Sequence, residues 1–368
     1  MKSVAMRIAV TLLQILYLPF RLLKVKKRVV IMSRQSDLPS RDIELLERAL
    51  KERDSGVEVR VLCKTLGNGF KEKVSYCLHM ILQMYMLVTS SVVVIDGYCI
   101  VVSILPHKDE TSVIQMWHAC AAVKQFGWQT VGKASGSDEN TAVIMKMHKN
   151  YDYILAPSKA TADHFCSAFG YSKEKIRYIG QPHLSELKNV ETDVIKAMDR
   201  EYPVLLKKKN VLYIPTFREG EQLPVRCLFE AVDTDRYNLI VRLHPLSIAD
   251  DFPEGVIIAD QFTTYDWMKR CDYIISDYSS LVVETAIMEK PLFIYAYDFE
   301  RYEESTGFNI KLFDEEIGKY VFRDESLLMS TIGNDYDFFS LKCFKDKYIE
   351  IDEDSAISDL TDFIYSIL

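Results

Sequence analysis

The chain lacks the short motifs that mark several large enzyme classes. No GxGxxG follows its first predicted strand and no GxxxxGK[ST] occurs, so nicotinamide-dinucleotide and P-loop interpretations lose their phosphate-binding loops. The absence of GxSxG argues against a serine hydrolase. The eight cysteines form no CxxC pair, and no His/Cys cluster has zinc spacing. We therefore expect the cysteines to be buried free thiols of a reducing compartment.

Clustered carboxylates are missing as well. Asp96, Asp138, Asp260 and Asp277 form no recognisable metal cluster, and we expect most of them to be solvated or to cap helices. The sequence therefore requires neither a metal nor another cofactor.

Charge is distributed unevenly along the 368 residues, a length that suits two domains. Residues 1–28 carry seven basic side chains and no acidic one. Because the whole chain has a net charge of -8, the remaining residues sum to -15. A body of that charge would repel a polyanion, so we expect no nucleic-acid partner.

The basic segment contains a short apolar run, Ile8–Phe20, between Arg7 and Arg21. Thirteen residues are fewer than the roughly 20 that a spanning helix needs, and no small-residue cleavage site of a signal peptide follows. We interpret residues 1–28 as an interfacial anchor on a peripheral membrane surface. The alternative is a first helix that packs on its own domain.

Apolar strand patterns alternate with helical patterns from Val29 onward. Such alternation predicts an α/β fold with mostly parallel sheets covered on both faces. We predict two Rossmann-type domains, 29–190 and 191–368, with parallel sheets that face a central cleft. The tail from Ser355 to Leu368 is a candidate helix that crosses back to the first half.

The most informative stretch, Cys271–Asp298, reads as one βαβ unit. Its predicted parts are a strand, a polar turn, a helix and a second strand: Tyr273–Ser276, Asp277–Ser280, Leu281–Met288 and Leu292–Tyr295. The turn lies at the carboxyl end of the strand, where open α/β sheets bind ligands. Ser279 and Ser280 are expected to cap the helix, whose free N–H groups favour an anion such as phosphate.

Two of the seven histidines and two arginines follow predicted strands. His118 comes after VIQMW, and His244 ends NLIVRLH in the second half. Arg218 and Arg242 follow strands of the second half, where a guanidinium can bind phosphate oxygens in bidentate fashion. The competing interpretation of Arg218 is a surface residue paired with Glu219 or other carboxylates.

Seven motifs together resemble the CDP-glycerol glycerophosphotransferases and polyol-phosphate transferases of teichoic acid synthesis. The motifs are WHACAAVKQFG (117–127), NYDYILAPS (150–158), AFGY (168–171), GQP (180–182), PTFRE (215–219), RLHP (242–245) and SDYSSLVVETA with its KPLFIYAYD continuation.

This resemblance implies a GT-B-like architecture and transfer of glycerol or ribitol phosphate from CDP-glycerol or CDP-ribitol to a hydroxyl of a lipid-linked saccharide acceptor, with release of CMP. It implies His118 as the general base and His244 as a second catalytic residue. The donor phosphate site implied by the motifs comprises Arg218, Arg242, Asp277, Ser279 and Ser280. Lys124 is a candidate acceptor contact. The expected location is the cytoplasmic face of the bacterial cell membrane.

Departures from the family pattern leave some questions open. Ala119–Ala121 replace a Gly-containing segment, His183 stands where arginine is common, and Glu284 where aspartate is expected. These differences leave the acceptor and the polyol undetermined. A GT-B glycosyltransferase that uses a nucleotide sugar and a catalytically silent scaffold remain alternatives. The chain length favours a primase over a long-chain polymerase.

Overall fold

The computed structural model describes residues 2–67, 69–218, 222–244 and 252–368. It divides into two compact units. Unit 1 contains the chain through Glu186 and resumes with Ile349–Leu368, and unit 2 is Leu187–Tyr348. Each unit contains a six-stranded sheet in which all neighbouring strands that the structure pairs are parallel. The predicted fold class, two Rossmann-type α/β domains with parallel sheets, is confirmed.

Unit 1 has the strand order β2-β1-β3-β4-β5-β6. Its strands are β1 Lys26–Ser33, β2 Glu58–Cys63, β3 Ser90–Ile95, β4 Ser112–Gln115, β5 Tyr153–Leu155 and β6 Ile176–Arg177. Its helices are α1 Lys2–Tyr17, α2 Arg41–Arg53, α3 Phe70–Thr89, α4 Ile100–Ile104, α5 Glu139–Ile144, α6 Lys159–Phe169 and, from the tail, α14 Ala356–Ser366.

Strand β1 shows why this sheet is covered on both faces. Val30 and Met32 join the apolar core that contains residues of α3 and α6, whereas Val29 and Ile31 join the core that contains residues of α2 and α14. Successive side chains of a strand point to opposite faces, so an uninterrupted apolar strand requires apolar cover on both sides.

The C-terminal tail belongs to unit 1. Leu360 and Ile364 of α14 are fully buried in the same core as Val29 and Ile31. The predicted second domain spans 191–368, with a last helix that crosses back to the first half. The structure instead places the division between Glu186 and Leu187 and a second division between Tyr348 and Ile349. Burial of the apolar face of α14 accounts for this return.

Unit 2 has the strand order β12-β11-β10-β7-β8-β9. Its strands are β7 Lys209–Ile214, β8 Tyr237–Val241, β9 Ile257–Ile258, β10 Tyr273–Ser276, β11 Leu292–Tyr295 and β12 Val321–Phe322. Its helices are α7 Thr192–Glu201, α8 Val225–Ala231, α9 Thr264–Arg270, α10 Leu281–Ile287, α11 Phe299–Ser305, α12 Glu325–Thr331 and α13 Phe338–Tyr348.

Short 3-10 helices complete the described elements of both units. They are Leu18–Leu22, Gly127–Thr130, Lys173–Lys175, Pro182–Glu186, Pro203–Leu206, Leu312–Asp314, Gly318–Tyr320 and Glu353–Ser355.

Both sheets reverse their strand order beside their first strand. In unit 1, β1 lies between β2 and β3, and in unit 2, β7 lies between β8 and β10. Neighbouring connections leave such a point in opposite directions, which opens a crevice at the carboxyl ends of the strands where ligands bind. We therefore expect the polar loops at these two positions to bind ligands and to carry the catalytic side chains.

The N-terminal helical segment is longer than the apolar run in the sequence suggests. Helix α1 continues into the 3-10 helix Leu18–Leu22. In the described part of the chain, one stretch, Ser3–Leu22, is long and apolar enough to cross a membrane by length and composition, and little of it is buried.

The cysteines differ from expectation in their burial. All eight are free thiols, but only Cys99, Cys120 and Cys271 are buried, and Cys77 and Cys227 are exposed.

Candidate functional site

His118 lies just beyond the carboxyl end of β4, next to the reversal point of the unit 1 sheet. Part of the residue is accessible to solvent, while its ring packs against the Trp117 ring at a centroid separation of 4.3 Å. Its Nδ1 atom lies 2.9 Å from the main-chain oxygen of Asp96, the residue that follows β3. Two neighbouring strands therefore place the imidazole and its anchoring carbonyl side by side.

The contact with Asp96 selects one tautomer of His118. A carbonyl oxygen only accepts hydrogen bonds, so Nδ1 carries the proton and Nε2 keeps its lone pair. The Gln35 amide nitrogen lies 3.1 Å from the same Nδ1. Rotation of the amide by 180° places its oxygen there instead, and that oxygen can accept a hydrogen bond from Nδ1–H. Desolvation of the ring lowers the pKa of His118 from its ordinary value of 6.5. The hydrogen bond to the Asp96 main chain and the charge of Asp42 oppose this, and the nearby Lys124 lowers the pKa further. The imidazole is thus neutral near pH 7 and able to accept a proton.

Two buried glutamines determine the path of the His118 loop. The Gln181 amide donates hydrogen bonds to the carbonyls of Met116, at 3.0 Å, and Ala119, at 3.2 Å, on either side of His118. The Gln115 side chain accepts the main-chain N–H of Trp117 at 2.9 Å. Trp117 has a φ of 62°, a left-handed conformation that a tryptophan rarely adopts without such support.

The Trp117 ring is fixed by aromatic neighbours. It stacks on Phe126 with a centroid separation of 4.6 Å and meets Phe169 edge-on at 5.2 Å. Rings in these arrangements attract each other beyond their buried area. The residue before His118 is consequently held by its ring as well as by its backbone.

Two buried carboxylates lie close to this loop. Asp96 is 1% exposed, and its buried carboxyl group lies beside the Ser33 hydroxyl. Burial raises its pKa to about 6, opposed by the neighbouring Ser33 hydroxyl. Asp42 accepts two hydrogen bonds from His183, one from the main-chain N–H and one from Nδ1–H, both at 2.8 Å. Asp96 is therefore an exception to the expectation that most of the four carboxylates are solvated or cap helices, because β3 carries it into the interior.

The predicted βαβ unit of unit 2 is present with strands at the predicted bounds, Tyr273–Ser276 and Leu292–Tyr295. Asp277 follows β10 and is fully buried. Its carboxylate accepts the main-chain N–H and the hydroxyl of Thr216, and also the N–H of Tyr278 at 2.6 Å. Asp277 therefore ties the loop after β7 to the loop after β10, and it is a second exception to the expectation that most of the four carboxylates are solvated or cap helices.

Arg218 is buried among acceptors and aromatic rings. Its Nε donates to Asp298 at 2.8 Å, and one terminal nitrogen donates to Asp277 at 3.2 Å. Its other terminal nitrogen donates to the Thr216 carbonyl at 3.0 Å, and the guanidinium lies 4.5 Å from the centre of the Tyr302 ring. Although desolvation opposes it, these carboxylates raise the pKa of Arg218 above its ordinary value. Glu219, considered as its partner, lies outside the described residues.

The serines of the turn make different contacts. Ser279 accepts the N–H of Leu281 at 3.3 Å through its hydroxyl. Ser280 occupies the N-cap position of α10 without a side-chain cap, and its hydroxyl lies 3.4 Å from Glu284. The expectation that both serines cap the helix is therefore wrong for Ser280, whose helical backbone conformation turns its side chain toward Glu284. Glu284 is buried and also accepts the Tyr265 hydroxyl at 2.9 Å.

Arg242 and His244 follow β8, as predicted. Arg242 donates a hydrogen bond from its guanidinium to the carbonyl of Ala259. His244 is exposed, and its ring centre lies 5.4 Å from that of Phe217 in the loop after β7. Unit 2 therefore brings the loops after β7, β8 and β10 to one edge of its sheet, with Arg218 and Asp277 buried and His244 at the surface.

Sequence reasoning missed several residues of these loops. Gln181 lies in the GQP motif and Asp298 ends the KPLFIYAYD motif, but neither motif predicts a role for these two residues. Gln115 carried no signal of its own. Among the described residues, no group of three or more His, Cys, Asp or Glu side chains is placed to hold a metal ion.

Comparison with known proteins identifies relatives over most of the chain. The chain is 30% identical over 359 residues to the teichoic acid ribitol-phosphate primase of Bacillus spizizenii. The alignment covers 93% of this chain and 91% of that protein. It is 25% identical over 307 residues to the teichoic acid glycerol-phosphate primase of Bacillus subtilis, covering 79% of this chain and 77% of the relative.

The fold has a counterpart among solved structures. The wall teichoic acid polymerase TagF superposes with a TM-score of 0.72 at 18% identity, covering 99% of this chain and 97% of that chain. The profile described as CDP-Glycerol:Poly(glycerophosphate) glycerophosphotransferase matches residues 15–366. The chain belongs to the CDP-glycerol:poly(glycerophosphate) glycerophosphotransferase family.

Proposed function

We propose that the protein transfers glycerol phosphate or ribitol phosphate from the matching CDP-polyol to a hydroxyl of a lipid-linked saccharide in teichoic acid synthesis. The acceptor oxygen forms a bond to the phosphorus that carries the polyol. The bond from that phosphorus to the bridging oxygen of the pyrophosphate breaks, and CMP leaves. Family membership supports this reaction class, and the neutral, oriented His118 is the structural observation that carries the proposal.

His118 acts as the general base in this scheme. Its Nε2 accepts the proton of the acceptor hydroxyl while Nδ1–H remains bonded to the Asp96 carbonyl. A positioned base of this kind contributes about 10²- to 10⁴-fold to the rate. Lys124, whose charge already acts on the imidazole, is assigned to the acceptor side of the reaction.

The loops of unit 2 hold the donor phosphates in this proposal. Ser279 and Ser280 supply the polar turn before α10, and Arg242 and His244 supply charge and a proton donor after β8. Arg218 and Asp277 act mainly by fixing these loops, because their buried side chains already bond to each other. Phosphoryl transfer depends on such positioning and charge stabilisation more than on covalent help.

A primase activity fits the extent of the match with the relatives. The chain covers 91% of the ribitol-phosphate primase and 77% of the glycerol-phosphate primase. Addition of one or a few polyol phosphates to a lipid-linked disaccharide is therefore the proposed reaction. The higher identity to the ribitol enzyme favours CDP-ribitol as the first donor to test.

Residues 1–28 are proposed as the peripheral anchor that brings the enzyme to the cytoplasmic face of the bacterial membrane. Val4, Ile8, Leu12 and Ile15 of α1 are each more than half exposed. Spacing of three or four residues places them on one face of the helix. An apolar face beside basic residues suits the interface of an anionic membrane.

The test is release of CMP by the purified full chain in detergent. The protein is offered CDP-glycerol, CDP-ribitol and a panel of nucleotide sugars, each with a lipid-linked disaccharide acceptor. Release of CMP from one CDP-polyol supports the proposal and identifies the donor. Turnover of a nucleotide sugar without turnover of either CDP-polyol would move the protein to the glycosyltransferases.

Two variants make this test specific. His118→Ala removes the proposed base and is expected to abolish turnover while leaving donor affinity close to that of the wild type. His107→Ala is the matched control. His107 precedes β4 and pairs with Asp152, so it lies at the opposite end of that strand from His118. Wild-type turnover in His118→Ala would remove the base assignment.

A further inference from the structure

The guanidinium of Arg34 is largely unused inside unit 1. The residue directly follows β1 and is half-buried. In the described part of the chain it makes one hydrogen bond, from a terminal nitrogen to the Tyr98 carbonyl at 3.1 Å, and no ion pair. Its Nε atom is buried without a hydrogen-bond partner there. A guanidinium carries five N–H donors, so most of its donors have no acceptor within the described chain.

Arg28, near the start of the same strand, shows how unit 1 holds an arginine that serves the fold. Its Nε donates to Glu58 at 2.8 Å, and a terminal nitrogen lies 2.7 Å from the same carboxylate. Another terminal nitrogen donates to the Thr89 hydroxyl at 2.8 Å. A buried cation needs such partners, because an uncompensated charge is costly to desolvate. Arg34 keeps its charge without a counter-ion and is therefore able to bind an anionic group.

Two tyrosine rings hold Arg34 in place. Its guanidinium carbon lies 5.7 Å from the ring centre of Tyr76 in α3 and 5.7 Å from that of Tyr98 in the loop after β3. Tyr76 is buried, and its hydroxyl has no hydrogen-bond partner within the described chain. Contacts of a cation with ring faces orient a guanidinium without neutralising it. The side chain is thus preorganised while its charge stays available.

Arg34 lies on the ligand-binding edge of the sheet. The strand order β2-β1-β3-β4 brings together the loops in which Arg34 follows β1 and His118 follows β4. The next residue, Gln35, lies 3.1 Å from Nδ1 of His118. Neighbouring strands are about 4.8 Å apart, so roughly 10 Å separate the end of β1 from the end of β4. An anion bound by Arg34 therefore lies close to the proposed base but away from the reacting hydroxyl itself.

The carboxylates near Arg34 are engaged elsewhere. Asp37, on the same loop, accepts the main-chain N–H and the hydroxyl of Thr65, both at 2.7 Å, and the charge of Lys64 acts on it. Asp96 is buried and forms no ion pair with Arg34. Arg34 therefore keeps its full charge beside the site.

We propose that Arg34 binds the phosphate that joins the saccharide of the acceptor to its lipid. The fork of N–H donors matches phosphate oxygens, and the donor phosphates are already assigned to the loops of unit 2. Binding of the acceptor phosphate fixes the saccharide so that its hydroxyl reaches Nε2 of His118. The inference rests on the proposed function and names the charged part of the acceptor that unit 1 recognises.

The experiment measures binding of a radiolabelled short-chain lipid-linked disaccharide to the full chain by equilibrium dialysis, without a donor. Two forms of the acceptor are compared, one joined to the lipid through a diphosphate and one through an ether without phosphate. The wild type is expected to bind the diphosphate form about 10- to 100-fold more tightly, and Arg34→Gln is expected to lose most of that preference. Arg34→Lys keeps the charge without the fork and is expected to keep part of it.

Arg48→Gln is the matched control. Arg48 of α2 is an exposed arginine of the same unit and forms no ion pair in the described chain, so this variant is expected to bind both forms like the wild type. An unchanged preference in Arg34→Gln would overturn the proposal. Equal loss of affinity for both forms would overturn it as well, because Arg34 would then support the site without binding phosphate. Arg34→Lys repeats the test should Arg34→Gln lose helix content by circular dichroism.

Kinetics separate this site from the proposed activity. In CMP release, Arg34→Gln is expected to raise the KM for the diphosphate acceptor about 10- to 100-fold and to leave the KM for the CDP-polyol unchanged. A rise in the donor KM alone would assign Arg34 to the donor and overturn the proposal. CMP release by the wild type without a preference between the two acceptors would refute the site and leave the proposed function. Binding of the diphosphate form that depends on Arg34, in a protein that releases no CMP, would refute the activity alone.

Discussion

Removal of the Arg218 guanidinium offers a sharp test of how the donor-side loops are held. The side chain donates to Asp277 and Asp298 and is itself buried. Arg218→Met keeps much of the volume and the contact with Tyr302 but removes the charge and the donors. Two buried carboxylates then lose their buried cation, and the largely exposed Arg301, 3.3 Å from Asp298, remains beside them.

The expected loss of stability follows from that uncompensated charge. Removing one partner of a buried ion pair typically costs about 3–5 kcal/mol, because the remaining charge stays desolvated. A domain is stable by roughly 5–15 kcal/mol in total. We therefore expect a large drop in the urea midpoint of Arg218→Met and the loss of CMP release, since the loops after β7 and β10 lose their common anchor.

The pKa of Asp298 determines how the stability lost in Arg218→Met depends on pH. In the wild type, desolvation raises the pKa of Asp298, but the hydrogen bonds and charge of Arg218 outweigh it and the pKa lies below its ordinary value. A depressed carboxylate stabilises the fold above its unfolded pKa near 3.9 and loses that contribution as pH falls through the folded pKa. In Arg218→Met the hydrogen bonds of Tyr278 and Arg301 to Asp298 remain, but the loss of the Arg218 charge raises the pKa of Asp298 relative to the wild type. The loss of stability is therefore large at pH 7 and narrows toward pH 4.

The matched control is the triple variant Arg218→Met/Asp277→Asn/Asp298→Asn, which removes all three charges. It is expected to regain most of the stability lost by Arg218→Met, because no buried charge is left alone. Urea unfolding followed by circular dichroism at pH 7 and pH 4 measures each variant. A deficit of Arg218→Met below about 1 kcal/mol, or one independent of pH, would contradict the role of Arg218 as a buried counter-ion.

Three further predictions concern the His118 loop. Because desolvation lowers the pKa of His118 below 6.5, kcat/KM for CMP release is expected to be flat above pH 7 and to fall only below pH 6.5; an inflection above pH 7 would contradict a neutral base. Gln181→Met removes both hydrogen bonds around the loop and is expected to lower kcat about 10- to 100-fold with the KM for the donor unchanged; a change in KM alone would contradict a positioning role. Asp96, with a pKa raised to about 6, destabilises the fold as pH rises from about 4 through 6, so Asp96→Asn is expected to be more stable than the wild type by about 3 kcal/mol at pH 8 and equal to it near pH 4; urea midpoints at both pH values decide this.

Regular elements were predictable where periodicity and punctuation agreed. The strands at 273–276 and 292–295 have the predicted bounds. In these stretches the apolar spacing matches the period of the element and polar or turn residues mark its ends. The predicted tail helix shortens to Ala356–Ser366, a difference of the size usual at frayed helix ends.

The candidate site was predictable as a set of positions and less so as a set of contacts. Parallel strands placed His118, Arg218, His244 and Asp277 at carboxyl ends, which the alternation of strand and helix already indicated. Whether a side chain there is exposed or buried depends on residues far away in sequence. Asp298, eighty residues after Arg218, neutralises it, and no local pattern reports that pairing.

The sequence alone determined the fold class, the family resemblance and the strand ends at which chemistry is expected, because these depend on local periodicity and on motifs read in order. Tertiary structure decided the burial of Asp96, the supports of the His118 loop, the return of α14 to unit 1 and the placement of Arg34 beside two tyrosine rings. Each of these depends on which surfaces meet after the chain has folded. Burial and hydrogen bonding between distant residues set pKa values and exposed faces, and both are properties of packing in three dimensions.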